Sequence, residues 1–500
     1  MAAQLTAWQP IKEKALAQPP FVDRETELAT LERAWESGRA ELVVLYGRRR
    51  IGKTALLREF MKGKPGTLWV ATMGAEPVLR RSFTDALWQA LRPGAESNGA
   101  EDGADAAAGF VYETWERAFE AVAEAARDRR LALVIDEFPY AAGASAGLPS
   151  VLQKVWDERL EEGRLMLVLC GSHIGMMERD VLAYGAPLYG RRTAQLRLGP
   201  LPPTALRTLF PSYSPAQLVE TYAILGGVPA YLLRFDPRLG VRENVARHVL
   251  DPGAFLYAEP LFLLREELRE PRNYFAVLQA VAQGRTTPNE ISQATGMDPG
   301  PLARYLATLR ELGLLERRVP VTETQPEKSR RGMYMVQDRF LRFWFRFAAP
   351  SASALEMGRA AQVAERVERE LPQFVGPVFE DLCRSWAAEQ AARERWPLAL
   401  ERFGSFWSPI AEVDVVGLGR EGLLVGECKW SREPVGVNVL ADLRRRAEAI
   451  CARVGRRETL LVLFSRSGFT DALEAAAAAE GVTLVGLEEV LGFRMGETTQ

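Results

Sequence analysis

The stretch GRRRIGKT at 47–54 constrains this chain more than any other. It follows the apolar run Leu42, Val43, Val44, Leu45 and precedes the helical pattern of 55–60. Strand, loop and helix in that order make a phosphate-wrapping turn, GxxxxGK(S/T). Its backbone N–H groups and the positive end of the following helix face the phosphate oxygens. Gly47 and Gly52 frame the loop, Lys53 adds a mobile full charge, and Thr54 supplies a hydroxyl for magnesium. The pattern implies a nucleoside triphosphate ligand with Mg2+.

A second element belongs with the first. The run LALVIDEF at 131–138 reads as a buried parallel strand ending in Asp136 and Glu137. Asp136 is expected to complete the magnesium shell opposite Thr54, and Glu137 to orient the water that attacks the γ-phosphate. The next buried strand, LMLVLCGS, ends in Ser172, which this type of strand order puts between the two motifs as a sensor hydroxyl near the γ-phosphate. His173 reads as a loop residue. A helix is expected before the loop, from the spacing of Leu28, Leu31 and Trp35. The Gly-, Ala- and acid-rich stretch 94–109 carries too few apolar residues to bury and reads as a mobile insertion.

At 500 residues the chain exceeds one ordinary core, and about 150 residues per domain suggests roughly three. The net charge of −2 excludes a global attraction to nucleic acid, so any such contact has to be local. The four cysteines form no CxxC pair and there are only two histidines, which leaves oxygen ligands and magnesium as the available metal chemistry. No cationic-then-apolar leader and no membrane-spanning apolar run is apparent, so a cytoplasmic protein without membrane contact is expected.

Beyond 200 the patterns are helical to about 268, interrupted by prolines and glycines, as for short helices packed in a lid. From 274 to 337 the order is helix, helix, turn, helix and a two-stranded wing, the winged-helix arrangement. Between 271 and 337 nine Lys and Arg face six Asp and Glu. Arg317, Arg318, Lys328, Arg330 and Arg331 lie in the wing, where they can neutralise phosphates, and Arg304 and Arg310 are candidate readers on the third helix. A protein-docking role remains the alternative. The aromatic run 340–347 reads as packing between domains.

The last part reads as a helix from 374, then strands EVDVVG, LLVGECKW, LLVLFSRSGF and VTLVGL with a helix between them. Alternation puts Glu412 and Asp414 on one face, and Glu427 and Lys429 likewise, with Cys428 turned into the core. Asp414 and Glu427 can meet on adjacent strands beside Lys429. A magnesium held by Asp414, Glu427 and the Cys428 carbonyl, with Lys429 steering the water, is the chemistry of phosphodiester hydrolysis.

The segments FVDRE, GRRRIGKT, LVIDEF, LVLCGS, PLYGRRT at 187–193 and GGVPAYL at 226–232 occur in that order. They resemble the archaeal and bacterial ATPase family within the STAND branch of AAA-type P-loop ATPases. The resemblance implies that Arg191 or Arg192 contacts the γ-phosphate, that the turn ending in Pro229 touches nucleotide from the lid, and that Val22 and Arg24 lie beside the adenine. The C-terminal constellation resembles the restriction-endonuclease-like PD(D/E)xK superfamily, without the proline of that name; Glu380 matches its helical acid. Together they imply an α/β multidomain chain: an AAA-type core (1–200), a helical lid (201–270), a winged helix (271–338), and linker helices with a nuclease-like domain (339–500). The expected function is ATP hydrolysis coupled to magnesium-dependent cleavage of DNA, with homo-oligomerisation possible. The alternative is a non-cleaving nucleotide-dependent switch that binds DNA or a protein partner.

Overall fold

The computed structural model describes residues 21–91, 110–268, 270–455 and 457–493; the stretch expected to be an insertion lies outside the described residues. The first sheet contains β1 (Glu41–Tyr46), β2 (Gly66–Val70), β3 (Leu131–Asp136), β4 (Leu165–Gly171) and β5 (Ala194–Arg197), all parallel, in the order β2-β3-β4-β1-β5. β1, β3 and β4 are buried along their whole length, the reason each is an unbroken apolar run. Alternate residues serve opposite layers. Val43, Leu45 and Val134 pack with Leu56, Leu57 and Phe60 on one side, and Val44, Leu133 and Ile135 with Phe83, Trp115 and Phe119 on the other. β4 lies between β1 and β3, as the strand order anticipated from sequence requires. β5 was not foreseen, because this edge strand alternates half-buried and exposed residues over only four positions.

Helices dominate the middle. Pro215–Leu225, Val241–His248 and Phe255–Glu267 precede a three-helix unit of Pro271–Ala282, Pro288–Thr295 and Pro299–Glu311. Thr287 and Glu290 form a reciprocal capping box at the second helix of that unit, and Gly296, in the left-handed region at φ 69°, ends it. Leu302, Leu306 and Leu309 of the third helix are buried, while Arg304 and Arg310 are exposed. Antiparallel β6 (Leu315–Arg318) and β7 (Met333–Val336) complete the wing.

One helix of 33 residues, Ala360–Ala392, then runs through Pro372 and Pro377. Sequence suggested a helix only from 374 onward, and an interior proline costs about 3 kcal/mol. The apolar stripe Val363, Val367, Phe374, Val378, Phe379 and Leu382 is buried along the continuous helix and offsets that cost. Its partner sheet has the order β12-β11-β10-β9-β8, from β8 (Arg402–Trp407), β9 (Glu412–Leu418), β10 (Gly422–Lys429), β11 (Glu458–Ser465) and β12 (Thr483–Gly486). β8, β9 and β10 pair antiparallel; β10, β11 and β12 pair parallel. β8 is a second strand that sequence missed, again an edge strand with mostly half-buried residues.

The aromatic run knits these parts together. Phe340, Phe343, Phe345 and Phe347 are fully buried, with Phe340 against Tyr231, Phe345 against Phe275 and Phe343 against Phe374. Those partners come from the lid, the three-helix unit and the long helix. No helix among the described residues is long and apolar enough to cross a membrane.

Candidate functional site

The loop after β1 owes its shape to two glycines. A Cβ on Gly47 would lie 2.5 Å from the Leu198 carbonyl oxygen, and Gly52 sits at φ 96°, a conformation side chains resist. Lys53, at the start of the helix Lys53–Met61, is buried, and its Nζ donates to the carbonyls of Gly47 (2.8 Å) and Arg48 (3.0 Å). Burial lowers its pKa from the ordinary lysine value, while Cys170, Glu137 and Asp136 oppose the shift. A charge held only by carbonyls is one that phosphate oxygens can take over.

Thr54 Oγ1 donates to Asp136 Oδ2 at 2.6 Å, and the Glu137 N–H donates to Asp136 Oδ1 at 2.9 Å. The hydroxyl and carboxylate thus converge as an oxygen-only donor pair that suits magnesium. Ser172, at the end of β4, donates through its N–H to Glu137 Oε2 at 3.2 Å and through its hydroxyl to Oε1. Glu137 holds φ 53°, a left-handed conformation costing roughly 1–3 kcal/mol for a residue with a side chain. That turn aims its carboxylate across the carboxyl end of the sheet to Ser172. His173 packs edge-on against Tyr140 and is half-buried, and burial lowers its pKa.

A cavity of about 370 Å³ opens beside the loop, lined by Val22, Arg24, Ile51, Gly52, Leu201 and Pro229 among others. Arg24 shapes it by donating to the carbonyls of Gly199 (2.6 Å) and Ile51 (3.3 Å). Its mostly apolar wall and its position fit a nucleobase. Sequence reading passed over the three arginines inside the loop. Arg48 pairs with Asp338 (2.8 Å), Arg49 with Glu266 (2.5 Å), and Arg50 with Glu259, which is 1% exposed and also accepts from the Tyr231 hydroxyl at 3.2 Å. Asp338 additionally caps the helix Arg339–Phe343 by accepting from the Leu341 N–H at 2.7 Å. The loop is therefore tied to the lid and to the joint after the wing. The available signal was the acid pair 259 and 266, two helical turns apart on one helix.

Of the arginine pair, Arg191 is gripped in two prongs by Asp157, each 2.6 Å, whereas Arg192 lies over the Tyr189 ring with its Nη1 buried and unpartnered. The wing cations also divide. Arg317 donates to the carbonyls of Pro326 and Ser329, Arg318 pairs with Glu316 and Asp381, and Arg331 pairs with Glu323. These three were expected to be free for phosphates; the fold instead spends them on wing and interdomain contacts. Lys328 and Arg330 are exposed, as are Arg304 and Arg310, the latter 3.7 Å from Glu327.

A second pocket lies over β9 and β10, lined by Glu380, Glu412, Asp414, Glu427, Lys429 and Arg446 among others. Asp414 Oδ2 accepts from the Cys428 N–H at 2.9 Å, so the carboxylate lies across the strand pair. Glu427, 5% exposed, accepts from Lys429 through Oε1 and from Arg446 through Oε2, both at 2.6 Å. Arg446, on the helix Val437–Val454, had escaped sequence reading, as had Arg384, which donates to the Asp414 carbonyl at 2.7 Å. Burial, then the Asp414 charge, raises the Glu380 carboxyl to about 8; burial, then Glu427, raises Asp414 to about 6. Crowded, desolvated acids are what a bound cation relieves. Among the described residues, however, no three His, Cys, Asp or Glu groups converge closely enough to hold a metal by themselves. A cation here would draw on Asp414, Glu427, the Cys428 carbonyl and water.

Comparison with known proteins matches three separate stretches of the chain. Residues 21–235 match the family described as an ATPase domain predominantly from Archaea, 272–319 the IclR helix-turn-helix domain, and 344–443 a family of archaeal and bacterial proteins of unknown function. An uncharacterized protein of Methanocaldococcus jannaschii is 30% identical over 435 residues, 86% of this chain and 92% of that protein. An uncharacterized ATP-binding protein of the same archaeon is 52% identical over 44 residues, 9% of this chain and 75% of that protein. A solved Walker-type ATPase of Pyrococcus abyssi covers 65% of this chain and 96% of its own at 21% identity, with a TM-score of 0.48.

Proposed function

The chain belongs to the same family as the Methanocaldococcus jannaschii protein and carries a P-loop ATPase domain and a helix-turn-helix unit; on that premise we propose a STAND-type ATPase coupled to a magnesium-dependent nuclease acting on DNA. In the first site Lys53 and the loop amides bind the β- and γ-phosphates, Thr54 and Asp136 hold Mg2+, and Glu137, kept in register by Ser172, orients the attacking water. Of the arginine pair we assign the γ-phosphate contact to Arg192, whose Nη1 has no partner, since Arg191 is held by Asp157. Val22, Arg24 and Pro229 border the base. Bound magnesium supplies charge neutralisation and a more acidic water at either site.

The observation that carries the nuclease reading is the meeting of Asp414, Glu427 and Lys429 over one strand pair, backed by Glu380. Asp414, Glu427 and the Cys428 carbonyl would hold the cation, Lys429 would position the water, and Glu380 would hold a proton near neutrality. The exposed cations Arg304, Arg310, Lys328 and Arg330 favour duplex contact through phosphates. One observation favours a non-cleaving, nucleotide-driven switch instead: both oxygens of Glu427 are already neutralised by Lys429 and Arg446.

Cleavage of a mixed DNA and RNA panel in Mg2+, with and without ATP, separates the two. Cutting that disappears in Lys429→Ala and changes in Lys53→Ala is the expected result. ATP turnover without cutting of any nucleic acid would leave the switch as the function.

A further inference from the structure

A third cavity, of about 600 Å³, lies where the lid, the wing, the long helix and β8 meet. Arg318, Arg339, Arg342 and Arg384 face it together with only two carboxylates, Glu316 and Asp381. Asp381 is shared three ways: it pairs with Arg318 at 2.8 Å, with Arg339 at 3.8 Å, and with Arg384. Glu316 serves Arg318 again, at 2.6 Å. Arg342 meets the Phe374 carbonyl at 3.1 Å and the Phe374 ring at 4.3 Å. Burial, and then the neighbouring Arg339, lowers the Arg342 guanidinium to about 10, a mark of crowded positive charge.

We propose that this junction cavity binds a small phosphate-bearing anion of nucleotide size, distinct from the ATP held by the P-loop. Four guanidiniums against two carboxylates on the cavity wall, with Glu380 3.8 Å from Arg384 behind it, leave an excess of positive charge in a partly dry space. Such an excess is costly unless an anion compensates it, and a phosphate monoester dianion is opposite to it in charge. Guanidiniums bind phosphate oxygens with paired, charge-assisted hydrogen bonds. The remaining wall is suited to a base and sugar: Tyr222, already stacked under Arg339 at 4.7 Å, with Phe403 and Met335. The volume is that of a small-ligand pocket, and elements on several sides bound it, which favours a small molecule over a passing strand.

The position gives occupancy a consequence. Arg384 lines this cavity, donates to the Asp414 carbonyl at 2.7 Å and lies 3.8 Å from Glu380. One side chain thus forms part of the wall between the anion site and the acidic pocket.

The test is calorimetric titration of the full chain, its P-loop saturated with a non-hydrolysable ATP analogue, with AMP, CMP, GMP, UMP and pyrophosphate. One-to-one binding of at least one mononucleotide is expected, weakened about tenfold or more by Arg339→Ala and by Arg342→Lys, the loss of one charge-assisted contact. Unchanged affinity for the ATP analogue establishes that each variant is folded, and Arg339→Ala alone suffices should Arg342→Lys fail to fold. Absence of saturable binding by every probe overturns the proposal, as does binding indifferent to Arg339→Ala. Binding of pyrophosphate alone, or tighter arginine-dependent binding of a short single-stranded oligonucleotide than of its mononucleotide, overturns it too. None of these readouts depends on cleavage.

Discussion

Around the nucleotide pocket the arginines turn outward, whereas around the acidic pocket the cations turn inward. Arg48, Arg49 and Arg50 reach Asp338, Glu266 and Glu259 on other elements and leave Lys53 held by carbonyls alone. Lys429 and Arg446 close on Glu427 itself. The difference teaches that the first pocket is poised for an anion, which need only displace neutral carbonyls. The second is self-neutralised, and a divalent cation has to displace two charges before it can bind Glu427. Nucleotide binding is therefore expected to be the tighter and less condition-dependent of the two.

The largest expected effect separates the pockets outright. Lys53→Ala should lower ATP turnover by about 10²–10³-fold, and Asp414→Asn should lower magnesium-dependent cleavage by a similar factor while leaving basal ATP turnover unchanged. Loss of both activities in Asp414→Asn would break the comparison, which a phosphate-release assay beside a cleavage assay reads directly.

A smaller contrast lies in pH. Below about 6 a proton on Asp414 competes with the metal, so the magnesium requirement of the second pocket should rise about tenfold per pH unit there. The sign for stability follows from the same burial. An acid whose pKa is raised by folding penalises the fold once ionised, so the metal-free chain should lose stability as pH climbs from the unfolded carboxyl range through about 6 and about 8. Glu380→Gln should flatten the upper part of that decline in a melting series across pH. A metal-free chain that gains stability over this range would count against the crowded-acid account.

Removing one inward cation should sharpen the comparison further. Arg446→Ala frees a Glu427 oxygen, and the half-maximal magnesium concentration for binding, followed by calorimetry, should fall a few-fold, in keeping with a partly exposed pair worth up to about 1 kcal/mol. A rise instead would mean that Arg446 orients Glu427 rather than competing for it. The outward pairs give the smallest effect. A double-mutant cycle of Arg48→Ala and Asp338→Ala should return a coupling of about 0.5–1 kcal/mol in nucleotide affinity. A coupling of zero would detach the loop from the joint after the wing.

Motif residues close together in the chain were legible because local backbone geometry places them. Strand, loop and helix bring Gly47, Gly52, Lys53 and Thr54 around one point, and alternation along β9 and β10 brings Asp414 over Glu427 and Lys429. The three helices and wing were legible from the order of helical patterns, turn and strands. Edge strands β5 and β8 were not, since an edge strand with half-buried residues lacks an apolar run. Nor was the passage of the long helix through Pro372 and Pro377, where burial outweighs local preference.

By itself the sequence determined the phosphate loop, its acidic partners on β3, the winged-helix order and the acid, acid, lysine set of the last sheet, because each depends on residues within one element or on two strands of fixed pleat. Only the tertiary structure decided which charges are spent. Arg318 leaves the wing for Asp381, Arg446 folds back onto Glu427 from the helix that follows β10, and Asp338 draws Arg48 across 290 positions of chain. Long, flexible arginine side chains choose partners by proximity in the folded molecule, and no periodicity in the chain encodes that proximity.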